Sequence, residues 1–208
     1  MRLGGRDTRW TLIRHAAVKA PPGVILGRLD VEADLSDRVA LDLLAACLPA
    51  DSVRLTSPLA RARMTAQALL PPGGDLIEEP ELTEQHFGDW QGMTHDEVAA
   101  HDPAGAAAFW KAPMRNAPPG GESFADCCAR VGAALPRLSA RWPGRAGAAG
   151  GDFGVLRAAM RAAVASASTG RRECYIITDL RQICLPCSAQ PIVSWRNERR
   201  RRSSYPCP

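Results

Sequence analysis

The hydrophobic and polar positions of the chain follow two different periods. Residues 10–13 are a short run of β-forming and apolar residues, and residues 53–57 alternate apolar with polar positions, so both segments predict strands. Pro136 lies inside the strongest helical pattern, over residues 123–142, so we expect a kink or an early end of that helix. In this pattern the apolar side chains recur every three or four positions: Phe124, Cys128, Val131, Leu135, Leu138 and Trp142.

Shorter elements are bounded by capping residues and prolines. Ser36 precedes a predicted helix that Pro49 ends, and residues 94–97 fit a capping box at the start of another. Residues 76–77 predict a third short strand, and residues 155–165 predict a late helix. Strands separated by helices in this order predict an α/β domain with a mostly parallel central sheet.

Two segments depart from this alternation. Residues 144–151 contain only Gly, Ala and one Arg, and without β-branched or aromatic residues they predict a poor strand. From residue 170 the composition changes to Arg, Cys, Pro and Ser with little periodicity. We therefore predict one domain over residues 1–169, with an atypical late strand at 144–152. A basic Cys/Arg/Pro-rich tail follows over residues 170–208, and we expect it to be disordered or foreign to the domain.

The charge distribution separates the same two parts. Residues 1–169 hold 18 Lys and Arg against 19 Asp and Glu, whereas residues 170–208 hold 8 Arg against 3 acidic residues. The body is near neutral, so a nucleic-acid partner is not expected of it, and only the tail could support one. No apolar run approaches the roughly 18 residues that span a bilayer, and the first residues are polar. We therefore expect a cytoplasmic protein without a membrane partner.

The cysteines also divide between the body and the tail. Seven is an odd number in a chain without a secretory signal, which argues against a disulfide framework. Cys184 and Cys187 have the spacing of a redox pair or of half a zinc site, but no second Cys pair or His pair completes a zinc set. We therefore favour an unstructured tail over a metal or redox site there.

Four polar residues of the body form a candidate phosphate-binding set. Arg14 and His15 follow the first predicted strand, and Arg61 lies in the first turns of a later helix, so two guanidiniums could converge on one anion. Imidazole can form a covalent intermediate in group transfer, which makes His15 a candidate nucleophile. Glu84 lies in an apolar and aromatic neighbourhood, where burial would raise its pKa and suit it to protonate a leaving group. For each residue alone, a surface ion pair is the alternative.

Taken together, these residues fall in four motifs that resemble the histidine phosphatase superfamily, also called phosphoglycerate mutase-like. The motifs are Leu12-Ile13-Arg14-His15-Ala16, Thr56-Ser57-Pro58-Leu59-Ala60-Arg61-Ala62-Arg63-Met64-Thr65-Ala66, Leu82-Thr83-Glu84-Gln85-His86-Phe87-Gly88-Asp89-Trp90-Gln91-Gly92 and Gly120-Gly121-Glu122-Ser123. The resemblance runs from about residue 11 to residue 138 and continues weakly to residue 163. The loop Gly27-Arg28-Leu29-Asp30 resembles the α-ribazole phosphatase-like branch of cobalamin assembly.

This resemblance implies a three-layer α/β/α fold and a phosphomonoester hydrolase that acts on a small phosphorylated metabolite, with α-ribazole 5'-phosphate as one candidate. It implies that His15 accepts the phosphoryl group as a phosphohistidine and that Arg14 and Arg61 hold the phosphate. Glu84 would be the general acid and then the base for the attacking water. Neither a metal nor a cofactor is implied, because the arginines take the place of a cation. His86 and His95 are expected at the surface or the rim.

The chain departs from the family at one pocket position. The family has a second histidine at the end of a late strand, whereas the last histidine here is His101, and alignment puts Asp152 in its place. A lost donor and an added negative charge predict reduced activity. The alternative is a non-catalytic member that binds phosphate or a partner. A shifted reading frame near residue 145 is one hypothesis for both the unusual late strand and the tail.

Overall fold

The structure, a computed structural model, describes residues 9–70, 74–167 and 174–178. The elements of these residues are, in chain order, β1 (Arg9–Arg14), α1 (Arg38–Cys47), β2 (Val53–Thr56), α2 (Ala60–Ala68), β3 (Ile77–Glu78), α3 (His95–His101), α4 (Pro103–Lys111), α5 (Phe124–Arg141), β4 (Ala146–Gly151), α6 (Phe153–Ala167) and β5 (Cys174–Thr178). Two short 3-10 turns, Pro80–Leu82 and Gly88–Trp90, lie between β3 and α3.

The strands form one parallel sheet in the order β3-β2-β4-β1-β5. β1 and β4 are neighbours, and their register pairs Arg14 with Gly151 at the carboxyl ends of both strands. The residues that follow these ends, His15 and Asp152, therefore leave the sheet side by side. The backbone N–H of His15 extends the pairing by one bond, donating to the carbonyl oxygen of Gly151 at 3.1 Å.

Helices cover both faces of the sheet. On one face, Trp10, Leu12 and Leu55 are buried in a cluster with the apolar residues of α5 and α6. On the other face, Ile13 and Ala148 pack with apolar residues of α1 and with the end of α2. The predicted α/β class with a mostly parallel sheet is confirmed, and so is its three-layer arrangement. None of the described helices is both long and apolar enough to cross a membrane.

Helix α5 carries the predicted buried stripe but does not end early. It continues to Arg141, five residues beyond Pro136, so the expectation of an early end is wrong. A proline lacks only one helical N–H donor, and the buried stripe on this helix compensates for the loss because it packs against the sheet. The buried cysteine of the stripe is Cys127 rather than Cys128, which is half-buried.

Strand β4 corrects the prediction that residues 144–151 make a poor strand. Ala146–Gly151 pairs with β1 on one side and β2 on the other, so it lies inside the sheet. Its small residues leave room for the Trp10 indole, because a Cβ at Gly147 would stand 2.2 Å from that ring. Trp10 is fully buried and donates from Nε1 to Ser139 Oγ at 2.9 Å. Pairing on both edges and this close packing override the low intrinsic strand preference of Gly and Ala.

Strand β5 corrects the predicted domain boundary at residue 169. Cys174–Thr178 pairs in parallel with β1 and completes one edge of the sheet. The segment from Tyr175 to Thr178 is a β-forming run, and the Arg, Cys and Pro content of residues 170–208 as a whole obscures it. The expected Cys184–Cys187 pair and the rest of the tail lie outside the described residues.

A third apolar cluster lies under the loops at the carboxyl edge of the sheet. Ile25 packs there with Trp90, Val98, Ala106 and Phe109, which come from the second 3-10 turn, α3 and α4. This cluster fixes the loop at residues 24–29 beside the end of β1, where the candidate site lies.

Candidate functional site

A pocket of about 370 Å³ opens at the carboxyl edge of the sheet, where β1 and β4 end. The structure brings together in its wall all four residues that the sequence predicts for the site. Five ionisable residues of this wall are linked by contact, by electrostatic interaction or by adjacency in the sequence, and we name this group the charged end: Arg14, His15, Arg61, Glu84 and Asp152. The carboxyl edge of a parallel sheet is the usual place for a ligand in α/β proteins, because loops from several strands meet there.

His15 is oriented by the backbone of the next residue, Ala16. Its Nδ1 lies 2.6 Å from the carbonyl oxygen of Ala16, and because a carbonyl only accepts, Nδ1 is the donor. Nε2 then points to Asp152, at 3.2 Å from Oδ1. The backbone N–H of Ala16 is held in turn by Thr65 Oγ1 of α2, at 2.9 Å.

Arg61 is built into the pocket floor. It lies in the first turn of α2 and is 1% exposed. Its guanidinium donates to the carbonyl oxygens of Gly27 at 2.6 Å and Leu29 at 2.8 Å, and its Nε donates to Asp152 Oδ1. Three of its five N–H groups are thus used by the protein, which leaves two for a bound anion.

Asp152 binds both basic groups through the same oxygen. Oδ1 accepts from Arg61 Nε and contacts His15 Nε2, while Oδ2 is buried and has no hydrogen-bond partner among the described residues. Asp152, the residue expected at the family's second-histidine position, thus contacts His15 and Arg61, the predicted nucleophile and one of the two predicted phosphate ligands.

Glu84 also lines the charged end and is held by two backbone donors. The N–H of Gln85 donates to Oε1 at 2.6 Å, and the N–H of Gly154 donates to Oε2 at 3.0 Å. Burial and the negative charge of Asp152 together raise the pKa of Glu84 to about 7, against the opposing effect of the two N–H donors and Arg61. Near neutral pH this carboxyl group is therefore protonated in a substantial fraction of molecules.

Gly154 is a site residue that the sequence reasoning did not identify. A Cβ at this position would stand 2.1 Å from Glu84 Oε1, so the close approach of backbone and carboxyl requires glycine. Nothing in the sequence pairs these two residues, because Gly154 lies in the first turn of α6 and Glu84 precedes the second 3-10 turn, 70 residues earlier. Only the fold brings them together.

Glu122 is the second site residue without a predicted role, although it belongs to the fourth motif. Its Oε1 accepts from Arg28 at 3.1 Å, from Arg130 at 2.7 Å and from the backbone N–H of His86 at 3.0 Å. Arg28 also donates from Nε to the backbone carbonyl of Glu84 at 3.0 Å. This network fixes the backbone on either side of Glu84 and so orients its carboxyl group.

The remaining wall of the pocket is mostly apolar. It includes the side chains of Val18, Val24, Leu26 and Phe87, and also His95. The His95 ring packs edge-on to Trp110, with the ring centroids 5.1 Å apart, and His95 thus lies at the rim as expected. His86, the other histidine expected at the surface or rim, is half-buried and is not among the described lining residues. No group of three or more His, Cys, Asp or Glu side chains that could hold a metal occurs among the described residues.

Comparison with known proteins places this geometry in a family. A model described as the histidine phosphatase superfamily, branch 1, matches residues 10–182. The glucosyl-3-phosphoglycerate phosphatase of Mycolicibacterium vanbaalenii is 39% identical over 133 residues, covering 60% of this chain and 57% of that protein. This chain therefore spans less than two thirds of that relative.

Two further relatives extend the comparison. The adenosylcobalamin/α-ribazole phosphatase of Salmonella typhimurium is 35% identical over 139 residues, which cover 64% of this chain and 67% of that protein. The native structure of a mycobacterial glucosyl-3-phosphoglycerate phosphatase superposes with a TM-score of 0.62 at 28% identity, over 73% of this chain and 76% of that one. The resemblance to this family that the four motifs indicated is confirmed.

Proposed function

Because the chain belongs to the histidine phosphatase superfamily, we propose that it hydrolyses a small phosphomonoester through a covalent phosphohistidine on His15. The observation that supports this most directly is the charged end of the pocket. There His15 has a fixed tautomer and lies with Arg61, and an acid of raised pKa shares the same pocket.

In the first step of this proposal, Arg14 and Arg61 bind the phosphate oxygens, and the Nε2 lone pair of His15 attacks phosphorus. The bond between phosphorus and the ester oxygen breaks, and that oxygen takes the proton of the Glu84 carboxyl group. A pKa of about 7 suits Glu84 to this task, because general acids work best when their pKa is near the operating pH. The guanidiniums stabilise the charge that develops on the transferring phosphoryl group.

In the second step, a water molecule attacks the phosphorus of the phosphohistidine. The Glu84 carboxylate, formed in the first step, takes the proton of that water. The bond between phosphorus and Nε2 breaks, its electron pair returns to Nε2, and phosphate leaves. The enzyme is then in its starting protonation state.

We further propose that Asp152 reduces the activity. Its Oδ1 already occupies Arg61 Nε and His15 Nε2, so a phosphate must compete with an internal carboxylate for both groups. The carboxylate also stands beside Nε2, the atom that would attack phosphorus. Removal of one donor to developing charge typically lowers a rate by about 10²–10³, and an added negative charge acts in the same direction.

The same contact supports a second candidate, a non-catalytic member of the family that binds phosphate or a partner. If Asp152 keeps His15 and Arg61 engaged throughout, the pocket retains its arginines but its nucleophile does not react. The two candidates differ in one measurable property, because only the first releases inorganic phosphate.

The names of the relatives supply two candidate substrates for this chain. One group is named for glucosyl-3-phosphoglycerate and another for α-ribazole phosphate. The second agrees with the likeness of the loop at residues 27–30 to the α-ribazole branch.

Release of inorganic phosphate from p-nitrophenyl phosphate tests the proposed function. We expect slow turnover by the wild type and its loss in His15→Ala. His101→Ala is the matched control, because this exposed histidine ends α3 outside the described pocket lining, and we expect it to keep wild-type turnover. Turnover that survives His15→Ala contradicts the mechanism, and phosphate binding without turnover in the wild type favours the non-catalytic candidate.

A further inference from the structure

We propose that the pocket selects phosphomonoesters of apolar or aromatic alcohols that carry no second anionic group. This inference rests on the proposed function and concerns the part of the pocket that receives the alcohol. It is carried by the side chains that line that part, which we name the apolar end: Val18, Val24, Leu26 and Phe87.

The loop at residues 24–29 connects the two ends of the pocket. The carbonyls of Gly27 and Leu29 accept from Arg61, so this part of the loop lies at the charged end. Val24 forms an isolated antiparallel bridge with Thr94, next to His95 at the rim, so this part of the loop lies toward the rim. Three residues of extended chain span up to roughly 10 Å, which is enough to place Val24 beyond a phosphate bound at Arg61.

Burial alternates along residues 24–26 of this loop, so that Val24 and Leu26 form an apolar wall that faces the pocket. Ile25 is 6% exposed and packs into the cluster with Trp90. Its backbone is fixed by two hydrogen bonds to residues 92–93, of 2.8 and 2.9 Å. Side chains alternate along extended backbone, so Val24 and Leu26 point away from that cluster. Both are half-buried and line the pocket, as is also true of Phe87.

The apolar end has no lysine or arginine among the described lining residues. Arg14 and Arg61, the arginines that line the pocket, belong to the charged end. Nearby cations are engaged elsewhere: Arg28 donates to Glu122 and to the Glu84 carbonyl, and the exposed Lys19 pairs with Glu32 at 3.1 Å.

His95 also lines the pocket near the apolar end, and its ring packs edge-on against Trp110. A leaving alcohol with a carboxylate would therefore lie against an apolar wall without a guanidinium or ammonium partner, and its desolvation would be poorly compensated. A benzyl or alkyl group would instead remove apolar surface from water on both sides. The wall thus discriminates by charge as well as by size.

Three esters of primary alcohols test this selection: benzyl phosphate, glycerol 3-phosphate and 3-phosphoglycerate. Their ester oxygens are alike, so differences in kcat/KM report how the rest of each alcohol binds. We expect benzyl phosphate to have the highest kcat/KM and to exceed 3-phosphoglycerate by at least about tenfold, the scale of discrimination by an apolar pocket. A higher value for 3-phosphoglycerate overturns the inference and leaves the proposed function standing, provided that turnover is lost in His15→Ala.

A charge placed in the wall supplies a second test. In Val24→Lys, the ammonium group supplies the missing partner for a carboxylate, so the ratio of benzyl phosphate to 3-phosphoglycerate should fall at least about tenfold. Val39→Lys is the control, because Val39 is 69% exposed on α1 and is not a described lining residue of the pocket. An unchanged ratio in Val24→Lys overturns the inference.

If no ester is hydrolysed, the proposed hydrolysis fails, but the selection is still decided by equilibrium binding of the same three esters. Calorimetric titration of the wild type should then give the same order of affinity, with benzyl phosphate bound most tightly. Equal affinities, or tighter binding of 3-phosphoglycerate, overturn the inference by themselves.

Discussion

Replacing Asp152 with asparagine removes a negative charge from the charged end and nearly preserves the shape of the side chain. The amide oxygen can still accept from Arg61 Nε, the bond that Asp152 makes now. The internal competitor for phosphate is then neutral, and His15 Nε2 no longer faces a carboxylate. We therefore expect Asp152→Asn to hydrolyse p-nitrophenyl phosphate faster than the wild type.

The size of this effect follows from the geometry. A phosphate bound to Arg61 and His15 would share both partners with Asp152 and so lie within about 4 Å of its carboxylate, where two unit charges repel by about 4 kcal/mol at an effective dielectric constant of ~20. Relaxation and the lost ion pair with Arg61 reduce the gain. We expect kcat/KM to rise at least about tenfold, toward the 10²–10³ range that one interaction with developing charge typically contributes.

The same substitution has a consequence for the pH profile. The charge of Asp152 raises the pKa of Glu84, so its removal lowers that pKa below the present value of about 7. The first step needs Glu84 protonated, and the alkaline limb of the kcat/KM profile reports the loss of that proton. This limb should therefore move to lower pH in Asp152→Asn.

The assay is the kcat/KM of both proteins from acid to alkaline pH, with thermal unfolding measured on the same samples. Asp152→Glu, which keeps the charge, is the control and should gain nothing. A folded Asp152→Asn protein with a lower kcat/KM than the wild type at every pH would contradict this prediction. Asp152 would then contribute to the reaction rather than compete with the substrate.

Three further predictions concern glutamate and glycine positions. The pKa of Glu84 is raised in the folded state, so the wild-type free energy of unfolding should fall as Glu84 becomes charged. The decrease should reach up to about 3 kcal/mol as pH rises from the ordinary carboxyl range through 7. Glu84→Gln should remove this pH dependence in thermal melts. Gly154→Ala should displace the Glu84 carboxyl and lower kcat more than it changes KM in steady-state assays, since the added Cβ meets Oε1. Gly147→Ala should lower the free energy of unfolding by about 1–3 kcal/mol in denaturant titrations, because its Cβ would overlap the Trp10 ring.

Two other glycines serve as controls for these substitutions. A Cβ at Gly132, in α5, would meet Ala162 at an ordinary 3.6 Å, so Gly132→Ala should keep kcat and gain up to about 1 kcal/mol of stability from helix preference. A Cβ at Gly150 would stand 3.5 Å from its nearest neighbour, so Gly150→Ala should be tolerated in the strand where Gly147→Ala is not. Loss of activity in Gly132→Ala equal to that in Gly154→Ala, or equal destabilisation by the two strand substitutions, contradicts this account.

The parts of the fold that follow a clear periodicity were predictable from the sequence. The Trp10–Ile13 run, the apolar stripe of α5 and the alternation of strands and helices all predicted their elements correctly. Residues 144–151 were not predictable in this way, because strand preference describes an average environment. In β4 one particular neighbour, the Trp10 ring, favours small residues over the usual strand formers. The ring fits against this strand because Gly147 has no side chain.

The site was predictable as a set of residue types but not as an arrangement. The motifs identified His15, Arg61 and Glu84 as candidates. The register of β1 and β4 places His15 beside Asp152, because Arg14 pairs with Gly151. The sequence could indicate that a donor had been replaced by an acid. That this acid bonds Arg61 and His15 through a single oxygen depends on side-chain directions that only the folded chain defines.

Phosphoryl transfer to His15 is the central step of the proposed reaction, and a trapping experiment can detect the phosphohistidine itself. The Asp152→Asn protein would be mixed with p-nitrophenyl phosphate, quenched in alkali during turnover, digested and examined by mass spectrometry. We expect a phosphoryl adduct on the peptide that contains His15. The protein that carries both Asp152→Asn and His15→Ala should show neither adduct nor turnover. Turnover that continues in the doubly substituted protein, or an adduct on a different residue, would contradict this mechanism.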